Sequence, residues 1–191
     1  MIVSTLPIYL YGQSVLRKKA RVVKTHDEEL VRFAGDMAET MRKANGIGLA
    51  ANQVGDLRRV IVVDIGAIEE SEGERVLAMI NPDVLSGTGE WGMEEGCLSI
   101  PDLREEVTRN ETIRVRYRNV AFREEEIEAS GLLARVILHE VDHLDGVLFI
   151  DHLSAVKRKI LRGRLNKISR GEIEVTYPVV GKTAPAEGEP R

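Results

Sequence analysis

Residues 138–146, LHEVDHLDG, constrain this chain more than any other stretch. They close a longer run, LLARVILHEVDHLDG, whose apolar spacing predicts a helix entered through Ser130-Gly131 and stopped by Gly146. On a helix, a step of about 100° per residue puts His139 and His143 roughly 40° apart and about 6 Å along the axis. Two imidazoles so placed can share one metal ion. Glu140 falls about 60° from His143, a poorer position for a ligand but near enough to act as general base on a water that the metal activates. Leu132 and Val136 share the face of the two histidines, so that face points into the core, where an imidazole without partners is costly. Taken alone, the motif is equally compatible with a buried helix carrying two satisfied histidines. A third ligand decides between them.

Cys97, in EEGCLSIPD, is the one cysteine of the chain. An isolated cysteine is most often a small buried hydrophobe. Set beside HEVDH the balance reverses, because Cys97, His139 and His143 with a fourth position left to water make the composition of a catalytic metal site, whereas a structural site is closed by a fourth protein ligand. His26 and His152 have polar flanks and are expected at the surface. With a single cysteine no internal disulfide can form, and the expected compartment is the reducing cytoplasm.

A chain of 191 residues fits one domain with a sizeable core. Its charged fraction of 30%, hydrophobic fraction of 43% and net charge of −4 exclude any global bias toward nucleic acid or membrane. The N-terminal MIVSTLPIYLYG lacks a basic flank and contains Pro7, so it reads as neither signal nor membrane span. Asn110-Glu111-Thr112 matches a glycosylation acceptor, without consequence in a chain with no secretory signal.

The expected organisation is a single catalytic domain over 1–170, with an irregular N-terminal arm over about 1–24. A first helix over 27–43 follows a Thr25/Glu28 capping box, and Arg59–Ile65 forms an apolar strand with Val76–Ile80 as its neighbour across a turn at Glu69–Gly73. Thr112–Arg118 alternates as a half-exposed strand, while the acidic run Glu124–Glu126 with Glu128 leads into the histidine helix. Pro101 is taken to limit the segment after Cys97. A basic helix over about 154–169, capped by Ser154, comes last, and 171–191 reads as a strand fragment and a disordered tail. Gly46, Gly48 and Ala51 spell G-x-G-x-x-A, but a helical pattern precedes them where a dinucleotide site needs a strand. Those glycines are read instead as letting backbone approach a ligand closely.

Three motifs, GIGLAANQ at 46–53, EGCLSIP at 95–101 and HEVDHLDG at 139–146, resemble peptide deformylase in identity and order, and the resemblance covers roughly residues 7–165. It implies an α+β fold in which antiparallel sheets pack around a central HExxH helix and the substrate peptide docks as an added strand. It implies that Cys97, His139 and His143 bind the metal, natively Fe2+, with Zn2+, Ni2+ or Co2+ able to substitute. Glu140 would be general base and then general acid, Gln53 through its side-chain amide and Leu98 through its N–H would stabilise the oxyanion, and Ile47 and Gly48 would hold the peptide backbone. The implied reaction is hydrolysis of the formyl group of N-formylmethionine on new chains, giving formate and a free amine. Leu138 departs from the pattern, which usually has glutamine there, and puts one polar contact behind the metal ligands in doubt.

The rival readings are another HExxH hydrolase such as a peptidase, whose third ligand would normally be histidine or carboxylate, a Cys97/His139 nucleophilic hydrolase, and a structural zinc module. The nucleophilic scheme leaves His143 and Glu140 unexplained. Expected partners are N-formylmethionyl peptides and nascent chains, with neither DNA nor membrane. Between Ser154 and Arg170 stand Lys157, Arg158, Lys159, Arg162, Arg164, Lys167 and Arg170 with no acidic residue. Such a stretch is either a solvated helix face or a docking surface for ribosomal RNA.

Overall fold

The computed structural model describes residues 4–64, 66 and 76–181. Among them, five strands form an antiparallel sheet in the order β2 (Gly48–Ala50), β3 (Val60–Asp64), β4 (Val76–Thr88), β7 (Thr112–Arg118) and β8 (Glu124–Ser130). Strands β5 (Trp91–Cys97) and β6 (Ile100–Arg109) make a separate antiparallel pair, and β1 (Ile8–Tyr9) runs parallel to β9 (Val179–Val180). Among the described residues, helices α1 (Glu28–Lys43), α2 (Gly131–Leu144) and α3 (Ala155–Ser169) join these strands in an α+β architecture. None is long and apolar enough to cross a membrane.

Strand β3 reads as a continuous apolar run because both of its faces are covered. Val60 and Val62 pack with Leu30, Met37 and Met41 of α1, while Ile61 and Val63 pack with Ala134, Ile137 and Leu144 of α2. The histidine helix is therefore buried on the sheet side by its own apolar residues. On its other side, the β5–β6 pair contributes Ile100, Leu103 and Val107 to a second cluster with Leu161, Leu165 and Ile168 of α3. Leu138, the departure from the family pattern, packs against the apolar cluster of α2 and the large sheet.

Several expectations need correction. Helix α1 is capped by Asp27, whose side chain accepts from the Leu30 N–H, in place of the Thr25/Glu28 box. Ser130 stands at the cap of α2 without a side-chain cap bond, and Gly131 N–H is held instead by the Glu111 carbonyl at 2.8 Å. Residues 124–130 are a full strand, and Pro101 lies inside β6, where the pairing slips between Glu95↔Glu105 and Cys97↔Ile100. The arm is largely irregular, as expected, yet Ile8, Leu10, Leu16 and Ala20 are buried. The turn assigned to Glu69–Gly73 and the tail from 182 onward lie outside the described residues.

Candidate active site

Helix α2 and strand β5 bring Cys97, His139 and His143 together, with their ligand atoms all within 4.8 Å of one another. Cys97 Sγ stands 3.2 Å from His143 Nε2, and the two imidazole rings meet edge to face at 5.0 Å. These three form a group able to hold a metal ion, and a thiolate with two imidazoles suits a borderline-soft transition metal. For His139, burial disfavours charge but contacts with Cys97 and Glu95 outweigh it and raise its pKa well above the usual value. Burial, reinforced by the charge of His139, holds His143 well below it.

Glu95, which sequence reasoning missed, orients the site. It accepts from Nδ1 of His139 at 2.9 Å, from Nε and Nη2 of Arg109 at 2.6 and 3.0 Å, and from Nη1 of Arg135 at 2.6 Å. Burial opposes its charge, but the His139 and Arg109 hydrogen bonds pull its pKa down to about 2. Fixing Nδ1 as the donor leaves Nε2 of His139 available to a metal ion. Arg109 reaches on to Asp142 at 2.7 Å, and His152 meets the same carboxylate at 2.8 Å. Asn52 donates to the His143 carbonyl, another contact that no local pattern announces. Glu95 sits two residues before Cys97 on β5 and so shares its face, the one signal by which it was findable.

Glu140 is 4% exposed, and its Oε2 has no hydrogen-bond partner among the described residues. Burial, helped by the charges of Glu95 and Asp142 against the pull of His139 and Arg109, raises its pKa to about 7. That value suits a group that takes and returns a proton near neutrality. A Cβ on Gly48 would lie 2.5 Å from Glu140 Oε1 and 2.7 Å from Val136 Cγ1, so glycine is what lets β2 lie this close to α2.

Gln53 is locked by Oε1 accepting from the Ala50 N–H at 2.8 Å, which leaves Nε2 aimed at Cys97 Sγ, 3.5 Å away, and Ser99 Oγ, 3.3 Å away. Leu98 follows Cys97 directly, and its carbonyl accepts from the Tyr177 hydroxyl at 2.8 Å. Burial, then the charges of Cys97 and Asp102, push that phenol up to about 12. Ile47, Gly48, Gln53, Cys97, Leu98, His139 and Glu140 all line one cavity of about 840 Å³, while His143 lies behind it, 1% exposed. Residues 174–177 line the same cavity, though nothing in the sequence pattern placed them there. Strand β2 is the edge of the five-stranded sheet and borders this space, so an extended peptide can add to it.

An α+β domain with a Cys-His-His metal group, an HExxH helix and an edge strand over the cavity defines a metal-dependent hydrolase of extended peptides. The polypeptide deformylase profile matches residues 5–159, and the chain belongs to that family. It is 45% identical over 185 residues to the peptide deformylase of Salinibacter ruber, spanning 93% of this chain and 95% of that one. Among solved structures, a Legionella pneumophila peptide deformylase superposes with a TM-score of 0.81 at 38% identity, covering 88% of this chain and 98% of that one. The Met-Ala-Ser-bound class I type b enzyme of Acinetobacter baumannii gives 0.74 at 33% identity, covering 80% and 100%. As a member of the family, the chain is a metal-dependent hydrolase that removes the N-formyl group from N-formylmethionine.

Proposed function

We propose that Cys97, His139 and His143 hold a divalent ion, natively Fe2+ with Zn2+, Ni2+ or Co2+ able to replace it, and that Glu140 carries the proton traffic of deformylation. When bound, such an ion supplies Lewis acidity, lowering the pKa of a water ligand toward about 7 and polarising the formyl carbonyl. Glu140 takes a proton from the attacking water and returns it to the methionine nitrogen as the C–N bond breaks, so formate and a free amine leave. The Gln53 amide and the Leu98 N–H donate to the oxygen that gains negative charge. Ile47 and Gly48 hold the peptide backbone along the open edge of β2. The tripeptide in the Acinetobacter relative supports this as a peptide site.

One observation carries the reading: Glu140, with a buried carboxylate oxygen that has no partner among the described residues, lines one cavity with Cys97 and His139, His143 lies just behind it, and the edge strand β2 borders it. Residues 1–170 contain every group given a role so far and are taken as the catalytic domain. The substrates are nascent chains in the cytoplasm, and the basic helix α3 docks the enzyme on ribosomal RNA. Anaerobic purification followed by metal analysis and a formate-release assay on a formyl-Met peptide tests the reading. Stoichiometric iron with formate release is expected; metal-loaded protein that releases no formate would overturn it.

A further inference from the structure

The C-terminal segment crosses back over the site after α3, beyond residue 159 where the family profile ends. Its residues Glu174 to Tyr177 form part of the cavity wall. It is fastened there through the N-terminal arm: Ile8 N–H donates to the Pro178 carbonyl at 2.9 Å and Leu10 N–H to the Val180 carbonyl at 3.0 Å. The arm in turn donates from Tyr11 N–H to the Ser99 carbonyl at 2.8 Å, while Tyr177 donates its hydroxyl to the Leu98 carbonyl at 2.8 Å. Consecutive carbonyls just after Cys97 are therefore gripped by two segments that are themselves hydrogen-bonded together.

We infer that Tyr177 is a positioning residue for deformylation, holding the Leu98 backbone so that its N–H meets the developing oxyanion. This rests on the reading of Leu98 N–H as an oxyanion donor. That N–H belongs to the peptide plane between Cys97 and Leu98, which is anchored by the Cys97 side chain and by the Cys97↔Ile100 pairing. The following plane carries the Leu98 carbonyl, and the Tyr177 hydroxyl is the contact that fixes it. With both planes held, φ and ψ of Leu98 cannot drift. A donor fixed before reaction is worth more than one that must reorganise, and a displacement of about 1 Å can cost a large factor in rate. Gly46 adds a steric reason for the fixation. A Cβ there would lie 2.8 Å from Leu98 Cδ1, so the Leu98 side chain is pressed against the turn that leads into β2.

Tyr177→Phe in the full-length, metal-loaded enzyme keeps the ring and its packing and removes only the hydroxyl. Expected is a fall in kcat of about 10-fold, below the roughly 10²–10³-fold that removal of a donor costs, with KM for a formyl-Met peptide within about 2-fold and metal content unchanged. Unchanged kcat, or a loss that comes with lower metal content or a lower melting temperature, overturns the positioning role. Replacing Leu98 by its α-hydroxy acid removes the N–H, with an ester in place of the amide, and separates the two ideas. If that replacement costs nothing, the oxyanion reading fails and the Tyr177 role fails with it; if it is costly while Tyr177→Phe is silent, only the Tyr177 role fails. Where both hold, the doubly altered enzyme loses no more than the hydroxy-acid form, because Tyr177 acts through that N–H. Additive losses would mean that Tyr177 acts elsewhere.

Discussion

Nδ1 of His139 donates to Glu95 at 2.9 Å, so the imidazole proposed to bind metal is held in one orientation by a carboxylate that Arg109 and Arg135 also grip. Glu95→Gln keeps the shape and removes the charge. Metal affinity should fall by about 10–100-fold, read by chelator competition. Loss of the carboxylate that faces two buried guanidiniums, of which Arg109 keeps Asp142, should cost about 3 kcal/mol of stability in the chelated protein at pH 7. Because the folded-state pKa of Glu95 is lowered from 4.5 to about 2, its contribution is present above about 4.5 and lost as pH falls toward 2. The stability gap between the variant and the parent should narrow over that window; equal metal affinities would remove Glu95 from its orienting role.

Gly48→Ala tests the close approach of β2 to α2. The added methyl meets Glu140 Oε1 and Val136 Cγ1 at 2.5 and 2.7 Å, so the glutamate must swing from the cavity or β2 must retreat. A swing of the glutamate leaves Cys97, His139 and His143 in place. Formate release should drop at least about 10-fold with full metal content, since displacement of a proton-transfer group by even 1 Å is costly. A fully active variant would show that the site tolerates a wider gap than the packing implies.

Helix α2 was legible because a 3.6-residue apolar rhythm, two histidines at i and i+4 and a glycine stop all agree, and Cys97 followed from the chemistry that those histidines require. Strand β8 was not. Its acidic run read as a lead into the histidine helix, yet Glu124 and Glu126 pair across to Arg114, Arg116 and Arg118 of β7, which only the folded register brings opposite. Pro101 misled similarly, since a proline is harmless in a strand where pairing has slipped and no partner is registered for it. Asp27 won the cap from Thr25 by standing one residue before the first turn, a difference that propensity does not resolve. Arg109 and Tyr177 reach the site from segments distant from its motifs, so no local spacing points to them, and Glu95 had only its place two residues before Cys97 to mark it.

The proposed ribosome contact should lie on the outer face of α3. Lys157 is tied to Glu105 at 3.0 Å, Arg158 to the Asp151 carbonyl at 3.1 Å and Arg164 to the Asp102 carbonyl at 3.1 Å. Lys159 and Arg162 have no such tie among the described residues, and beside them Val156 and Ile160 are 70% and 75% exposed. Lys159→Glu with Arg162→Glu should abolish co-sedimentation with ribosomes at low salt and leave turnover of a free formyl peptide intact. Single reversals should flatten the log–log salt slope by roughly 1 each. Sedimentation indifferent to these charges would leave α3 as a solvated face.

Removing the proton carrier should separate chemistry from metal binding on α2. Glu140→Gln should fold and hold near-stoichiometric metal, because Cys97, His139 and His143 are untouched, yet its formate release should fall by roughly 10⁴-fold. Cys97→Ala should instead lose metal affinity and activity together, as it removes a thiolate ligand. A second readout comes from the chelated proteins. Burial raises Glu140 from 4.5 to about 7, so the folded state holds its proton where the unfolded state has released it. The native form then binds more protons than the unfolded one between those values, and stability falls as pH rises through that window. Glu140→Gln does not titrate and should lack this part of the slope. Equal slopes in parent and variant, or a Glu140→Gln protein that comes out metal-free, would mean that this glutamate is a ligand or a structural group and that the proton carrier lies elsewhere.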